Sequence, residues 1–203
     1  MWNFSAEMER VLQVLDYAVL VISGSDGVQG HTRTLWRLLA RYQIPAFLFI
    51  NKMDLAPGRE QEVLRDLKES LGGNFVDFGA DGTESFYEEA AVSGEAELEE
   101  FLETGQVSKD AIRSRIASRD LFPCYFGSAL KMEGVQEFMD GMTAYVEKNE
   151  QINSTDTNTS NFGAKVFKIS RDPAGSRLTI SESDIRNFEG KRYIDRNSRK
   201  AAE

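Results

Sequence analysis

Three runs of apolar residues, each about the length of a β-strand, occur along the first part of the chain. They lie at residues 17–23, 45–50 and 123–127. In the middle run, no polar residue interrupts Ala46 to Ile50, which is typical of a parallel strand covered by helices on both faces. The pattern predicts an α/β fold built on a doubly wound parallel sheet.

Apolar residues recur at helical spacing in the segments around these runs. The predicted elements are helices at 5–15, 29–43, 59–71 and 133–148, an acidic helical stretch at 84–118 that breaks near Ser93-Gly94 and Gly105, and a short strand or extended segment at 75–79. Helices between the strands are what the crossover connections of a parallel sheet require.

The pattern changes after residue 150. Residues 151–161 are polar and low in complexity, which predicts a linker. Residues 162–180 alternate around the turn Arg171-Asp-Pro-Ala-Gly175, which predicts a β-hairpin. Residues 181–203 are polar and charged and predict a tail. We therefore expect an α/β domain over 1–150, followed by the start of a second, β-rich domain.

Asn51-Lys-Met-Asp54 directly follows the middle strand, at the end where ligands bind in parallel sheets. A carboxylate at Asp54 can accept hydrogen bonds from both the N1–H and the amino group of guanine, two neighbouring donors that adenine lacks. Asn51 can donate towards the opposite edge of the base, and Lys52 can lay its alkyl stem along the ring. The alternative is a loop in which Asn51 and Asp54 only cap the following helix.

Gly127-Ser-Ala129 ends the third predicted strand. Small residues there let the backbone approach a ligand closely, and the backbone N–H groups of Ser128 and Ala129 can donate to the guanine carbonyl oxygen. Taken alone, this triplet is more typical of a plain strand-to-helix turn. It becomes informative because it follows Asn51–Asp54 by one helical unit.

Six motifs occur in an order that resembles the GTP-binding domain of translational GTPases: Val19-Leu-Val-Ile-Ser, Asp26-Gly-Val-Gln29, Thr32-Arg, Ile44-Pro, Phe49-Ile-Asn-Lys-Met-Asp54 and Gly127-Ser-Ala129. The sequence is most similar to the elongation factor G group, and within it to the tetracycline-resistance ribosomal-protection proteins. The resemblance covers residues 4–150 and, more loosely, 162–180. It implies a P-loop GTPase-like G domain followed by a β-barrel, with GTP or GDP as ligand and the ribosome as partner.

The phosphate-binding elements of such a domain do not occur in these 203 residues. No Gly-x-x-x-x-Gly-Lys-Ser/Thr is present, the loop that cradles the phosphates and supplies a magnesium ligand. By the resemblance, Met1 falls where the family has its water-positioning His. We therefore expect an incomplete G domain, a fragment that keeps the guanine-reading half. It would have no catalytic residue, bind GTP or GDP weakly and lack hydrolysis, and Mg²⁺ would bind only in a complete protein.

Composition and charge limit the partners, the compartment and the kinds of site that the chain can have. The formal net charge of −9 argues against binding to nucleic acid or a membrane surface by this chain alone. A lone thiol, Cys124, lies in a predicted buried strand and fits the reducing cytoplasm. The single histidine, His31, is expected to be a helix cap or solvated, and the glutamates between residues 95 and 103 a solvated face rather than a metal site. No apolar run is long enough to span a membrane.

Two expectations concern partners. In an incomplete sheet the strand at 17–23 lacks one neighbour, so we expect a homodimer through this edge, or a segment such as 162–180 folded onto it. The rival to nucleotide binding is a non-enzymatic remnant or interaction module that keeps the sheet and binds no nucleotide usefully. A stand-alone GTPase is the least supported alternative because no phosphate loop is present.

Overall fold

The structure is a computed structural model that describes residues 10–146, 164–173 and 175–183. The chain forms two compact units, one of Asp16–Lys148 and one of Met1–Leu15 together with Asn149–Glu203. The first unit contains the parallel sheet and all five residues of the predicted base-binding set.

Four parallel strands form the sheet of this unit: β1 (Ala18–Ser23), β2 (Ala46–Asn51), β3 (Phe75–Asp77) and β4 (Phe122–Phe126). Their spatial order is β1-β2-β4-β3, so β3 pairs with β4 at the edge opposite β1. The predicted α/β fold with a parallel sheet is confirmed. The segment predicted as a short strand or extended is β3, and a 3₁₀ turn at Phe78–Ala80 follows it.

Helices connect these strands, and within the described part of the unit they are α1 (Gly30–Arg41), α2 (Glu60–Leu71), α3 (Glu84–Ala91), α4 (Glu95–Thr104), α5 (Lys109–Ala117) and α6 (Val135–Tyr145). The acidic stretch is three helices, with interruptions at the predicted breaks. Gly105 ends α4 in the left-handed region at φ 73°, which favours glycine. Thr83 and Ser108 begin α3 and α5, because their hydroxyl oxygens accept hydrogen bonds from backbone N–H groups of the first turn.

The core lies around the central strand β2, whose residues Ala46 to Ile50 are all buried, as their unbroken apolar run predicts. An aromatic cluster links α1 to β3 and β4. The Phe122 ring centroid lies 4.6 Å from that of Trp36 and 5.2 Å from that of Phe75. The Trp36 indole N–H donates to the Leu71 carbonyl oxygen at 3.0 Å. This bond joins α1 to the end of α2, so the helices beside β2 are fixed relative to each other.

The second unit contains an antiparallel hairpin of β5 (Ala164–Arg171) and β6 (Arg177–Ser183), which confirms the predicted hairpin. Its turn closes where Gly175 N–H donates to the Asp172 carbonyl oxygen at 3.0 Å and Ser176 N–H to Asp172 Oδ1 at 2.7 Å. β6 runs three residues beyond the predicted limit at 180. The predicted linker at 151–161 lies outside the described residues, as do most of the predicted tail and residues 5–9 of the predicted helix 5–15, of which residues 10–12 are helical. The domain division stays a prediction.

None of the helices that the structure describes combines the length and the apolar character needed to cross a lipid bilayer.

Candidate nucleotide-binding site

The carboxyl ends of β1, β2 and β4 meet at one edge of the sheet, where all the predicted site residues lie. Asn51, the last residue of β2, is opposite Ser23 of β1, and Ile50 is opposite Phe126 of β4. Backbone hydrogen bonds continue past the strands: Gly24 N–H donates to the Asn51 carbonyl oxygen at 2.8 Å, and Gly127 N–H to that of Ile50 at 3.0 Å. The loops after the three strands therefore begin as one connected layer.

Asn51 joins the two predicted motifs directly. Its side-chain oxygen accepts one hydrogen bond from Lys52 N–H at 2.8 Å and another from Ala129 N–H at 2.9 Å. Because both bonds use Oδ1, the amide NH₂ of Asn51 is left to donate elsewhere. Helix capping is a different arrangement, and the next helix, α2, is preceded by Arg59 with no side-chain cap. Asn51 thus holds two loops together rather than starting a helix.

Lys52 has an unusual backbone conformation for a residue with a side chain. Its φ is 64° and its ψ 33°, in the left-handed region that costs an L-residue about 1–2 kcal/mol. The bond from its N–H to Asn51 holds this conformation, as does the bond from Leu55 N–H to the Lys52 carbonyl oxygen at 3.0 Å. The chain therefore turns sharply away from β2, and Lys52 stands exposed at the sheet edge.

Asp54 lies in the 3₁₀ turn Met53–Leu55 that follows. Buried Met53 anchors this turn, and its N–H donates to the Gly127 carbonyl oxygen at 3.0 Å. The Asp54 side chain is only 13% exposed, with Lys131 Nζ 3.7 Å from its Oδ2. No residue in the described ranges donates a hydrogen bond to this carboxylate. Apart from this ion pair, the Asp54 oxygens are available to accept hydrogen bonds from a ligand.

Ser128 and Ala129 differ in what they can offer a ligand. Ser128 is buried, its N–H donates to the Glu133 carbonyl oxygen at 2.9 Å, and its own carbonyl oxygen accepts from Glu133 N–H at 3.0 Å. These two bonds close a tight loop over residues 128–133. Ala129 is exposed beside Asn51, and its N–H donates to that side chain. In this structure both backbone N–H groups donate within the protein.

Three glycines make this close packing possible. A Cβ at Gly24 would collide with the Met53 sulfur, and one at Gly127 with the Glu133 carbonyl oxygen. Gly134 has φ 72°, and a Cβ there would collide with the Phe126 carbonyl oxygen. Gly127 therefore serves the approach of one protein loop to another, whereas the sequence suggested an approach to a ligand. The roles of Gly24 and Gly134 were missed because they depend on loops distant in the sequence.

Lys131 is the charged residue of the site that sequence reasoning missed. It lies three residues after Ser128, and its N–H donates to the Ser128 carbonyl oxygen at 3.1 Å. A cation so close to the Ser-Ala pair was a usable signal, since a short loop after one strand faces the loop after its neighbour. Groups of three or more His, Cys, Asp or Glu suited to a metal ion do not occur among the described residues.

Cys124 lies in β4 below the site and is completely buried. Burial is the main cause that raises the pKa of its thiol well above the usual value, because the thiolate loses its hydration. The neutral thiol is a poor nucleophile, so Cys124 is a small core residue rather than a reactive one.

Comparison with known proteins assigns the chain to a family. Residues 2–148 match the elongation factor Tu GTP binding domain. The chain belongs to this family. The predicted resemblance to translational GTPases is confirmed at that level, and the elongation factor Tu GTP binding domain implies a guanine nucleotide as the ligand. The five site residues, from Asn51 to Ala129, lie within the matched range.

A solved structure supports the fold. A protein from Thermus thermophilus superposes with a TM-score of 0.66 at 18% sequence identity. The match covers 88% of this chain and 34% of that protein, so the chain spans about a third of its length. At this identity the similarity concerns the fold alone.

Proposed function

We propose that this chain binds the guanine base of GTP or GDP at the shared edge of β2 and β4. The observation that carries the proposal is the Asp54 carboxylate. It is mostly buried, receives no hydrogen bond from any residue in the described ranges, and lies in a turn that is bonded to the loop after β4. An ionised carboxylate only accepts hydrogen bonds, so a ligand that binds to it has to supply donors. Guanine supplies two, side by side.

The other residues act around that contact. Asn51 uses its oxygen to hold Lys52 and Ala129, and its amide NH₂ donates to the opposite edge of the base. Lys52 is exposed and lays its stem on the ring. Ala129 shares its N–H with the guanine carbonyl oxygen, as three-centre hydrogen bonds allow. Ser128 is buried, so its backbone bonds to Glu133 shape the loop on which Ala129 lies.

The site residues fit the base rather than the phosphates. The chain contains no Gly-x-x-x-x-Gly-Lys-Ser/Thr, so the triphosphate and Mg²⁺ gain no such cradle from these residues. We therefore propose weak binding of GTP and GDP and no hydrolysis by this chain alone.

The wider role rests on family membership and on the motifs of the sequence. We propose that the chain is part of a cytoplasmic translational GTPase of the elongation factor G group that acts on the ribosome. Its sequence favours the tetracycline-resistance ribosomal-protection proteins within that group. The chain spans about a third of the similar solved protein, and the ribosome contacts would involve other parts of such a factor.

The rival function is an interaction module that binds no nucleotide, and the exposed edge of the sheet favours it. Val19 and Val21 on β1 are 43% and 59% exposed. Among the described strands β1 pairs only with β2. A second copy of this chain can pair with that edge by a two-fold axis, which would satisfy the backbone groups of both copies.

Base recognition is tested by titrating guanosine, adenosine and xanthosine into the native chain and into Asp54→Asn, with isothermal calorimetry as the readout. The native chain should prefer guanosine, because its two donors match the two carboxylate oxygens. Asp54→Asn places an N–H opposite the position where xanthine has a carbonyl oxygen, so the preference should move from guanosine to xanthosine.

Asp26→Asn is the matched control, because it removes the same charge from an exposed loop after β1. It should leave the preference for guanosine unchanged. Equal binding of all three nucleosides by the native chain, or an unchanged preference in Asp54→Asn, would contradict base recognition by Asp54. No binding of any nucleoside would support the interaction module.

A further inference from the structure

Lys131 forms an ion pair with the carboxylate of Asp54. A base that binds to Asp54 therefore either displaces Lys131 or contacts it as well. We propose that Lys131 sets the base specificity of this site. Its ammonium group moves away from Asp54 when guanine binds, and it bridges Asp54 to the 2-carbonyl oxygen when xanthine binds. The inference rests on the proposed function, since it assumes that a purine edge faces Asp54. It extends the ligand class from guanine to 2-oxopurines.

The first step concerns the position of the ammonium group. Lys131 Nζ lies 3.7 Å from Asp54 Oδ2, within ion-pair distance but longer than a hydrogen bond. The Asp54 side chain is 13% exposed, whereas that of Lys131 is 52% exposed. The carboxylate is therefore largely enclosed by the protein, whereas the lysine head group has open solvent beside it into which it can move.

The second step concerns the backbone that carries Lys131. Lys131 N–H donates to the Ser128 carbonyl oxygen at 3.1 Å, and Met132 N–H to that of Ala129 at 3.3 Å. Both bonds lie inside the loop that Ser128 and Glu133 close. The Cα of Lys131 is thus held at a constant place beside the site, and only its flexible side chain needs to rearrange for different ligands.

The third step is the chemistry of the purine edge. Guanine presents two donors, which need both oxygens of Asp54, so the ammonium group has to give up Oδ2. Xanthine presents one donor and one carbonyl oxygen, which would repel the carboxylate. An ammonium group has three donors and no acceptor, so Lys131 can donate to an Asp54 oxygen and to the xanthine carbonyl oxygen at once. The same lysine therefore weakens guanine binding and supports xanthine binding.

Lys131→Met is the decisive variant, because it keeps the length of the side chain and removes the charge. The full chain is titrated with guanosine and with xanthosine, below the pH at which xanthosine loses its ring proton. Guanosine should bind more tightly to Lys131→Met than to the native chain, by about 2- to 5-fold, the range of a partly exposed ion pair. Xanthosine should bind more weakly by a similar factor.

Salt supplies a second readout. Added salt screens the attraction between Lys131 and Asp54, so guanosine affinity of the native chain should rise with ionic strength. The affinity of Lys131→Met should stay constant. Lys109→Met removes the same charge from α5 and should behave like the native chain. Thermal unfolding confirms that each variant folds, and Lys131→Gln replaces Lys131→Met if the latter does not.

The outcomes separate the two proposals. Opposite shifts for guanosine and xanthosine support the role of Lys131. If the native chain binds guanosine but both nucleosides shift in the same direction, or neither shifts, Lys131 does not set specificity and the proposed function stands. If neither protein binds guanosine, base recognition at Asp54 is wrong, and the inference about Lys131 is wrong with it.

Discussion

Asn51 Oδ1 lies 2.9 Å from the backbone nitrogen of Ala129, a residue 78 positions later in the chain. The same oxygen accepts the N–H of Lys52, whose left-handed conformation starts the turn that carries Asp54. One amide oxygen thus fixes both loops of the site, and the amide NH₂ of the same side chain is left for a ligand. This division of labour within Asn51 is open to direct test.

Asn51→Ala should lower the free energy of unfolding by about 1 kcal/mol, because two backbone N–H groups lose their acceptor. Asn51→Asp keeps an oxygen in place and should retain most of the stability, while it loses the amide donor. Both variants should bind guanosine more weakly than the native chain. Urea unfolding and calorimetry measure the two effects. An Asn51→Ala variant as stable as the native chain would contradict the bridging role.

Gly134→Ala should be far more destabilising than Gly58→Ala. Both glycines have positive φ, 72° and 75°, so both substitutions bring the strain of an L-residue, about 1–2 kcal/mol. At Gly134 the added Cβ also collides with the Phe126 carbonyl oxygen, whereas at Gly58 it meets nothing within 4 Å. Urea unfolding of the two variants isolates the steric part. Equal losses would mean that the loop around Gly134 adjusts without cost.

Asp77→Asn should stabilise the chain at neutral pH. Burial, together with the charges of Glu89 and Glu60, raises the pKa of Asp77 above its usual value, although the hydrogen bond from Gly79 N–H opposes this. A raised pKa in the folded state means that ionisation disfavours folding. The penalty is absent below the pKa of the unfolded chain, grows as the pH rises towards the folded pKa, and is complete above it.

The stability advantage of Asp77→Asn should therefore vanish in acid, because the Asp77 carboxyl group of the native chain is then neutral in both the folded and the unfolded state. The amide oxygen of Asn still accepts the hydrogen bond from Gly79 N–H. Thermal unfolding across the pH range measures it. Asp26→Asn removes the same charge at an exposed position and is the control for the effect of net charge. A stability gain that is equal at all pH values would point to a cause other than the charge of Asp77.

GTP hydrolysis by this chain should stay at the background rate, with or without ribosomes. Positioned phosphates, Mg²⁺ and an oriented water carry phosphoryl transfer, and their loss removes roughly 10³-fold or more of the rate. Phosphate release under multiple-turnover conditions is the measurement. Repeated turnovers that disappear in Asp54→Asn would show that this chain hydrolyses GTP at its own site and would overturn the expectation.

Self-association through β1 should be visible in light scattering as a homodimer. Val21→Lys places a charge on the exposed face of this edge strand and should give a monomer. Val92→Lys makes the same change at a residue that is 72% exposed and lies beyond the sheet, after α3, and should leave the dimer intact. A monomeric native chain, or a dimer that survives Val21→Lys, would rule out pairing through this edge.

The sequence by itself determined the elements of the sheet and the chemistry at its edge. Apolar runs marked β1, β2 and β4 within one residue at each end, because a strand covered on both faces has to be apolar along its whole length. The order Asn51, Lys52, Asp54 followed by Ser128 and Ala129 indicated a guanine site. Ser93-Gly94 and Gly105 indicated the breaks between the acidic helices, since these signals act within a few residues.

Tertiary structure decided the contacts between segments that are distant in the sequence. The position of β3 beside β4, the bond from Ala129 to Asn51, and the approach of Lys131 to Asp54 all depend on strand order and register. The hydrophobic spacing of a segment does not encode which atom of a polar side chain faces which loop, because either orientation of that side chain is compatible with the same spacing. Only the folded sheet, by bringing two strand ends together, assigns the oxygen of Asn51 to the protein and leaves Asp54, among the described residues, with an ion pair to Lys131 but no hydrogen bond.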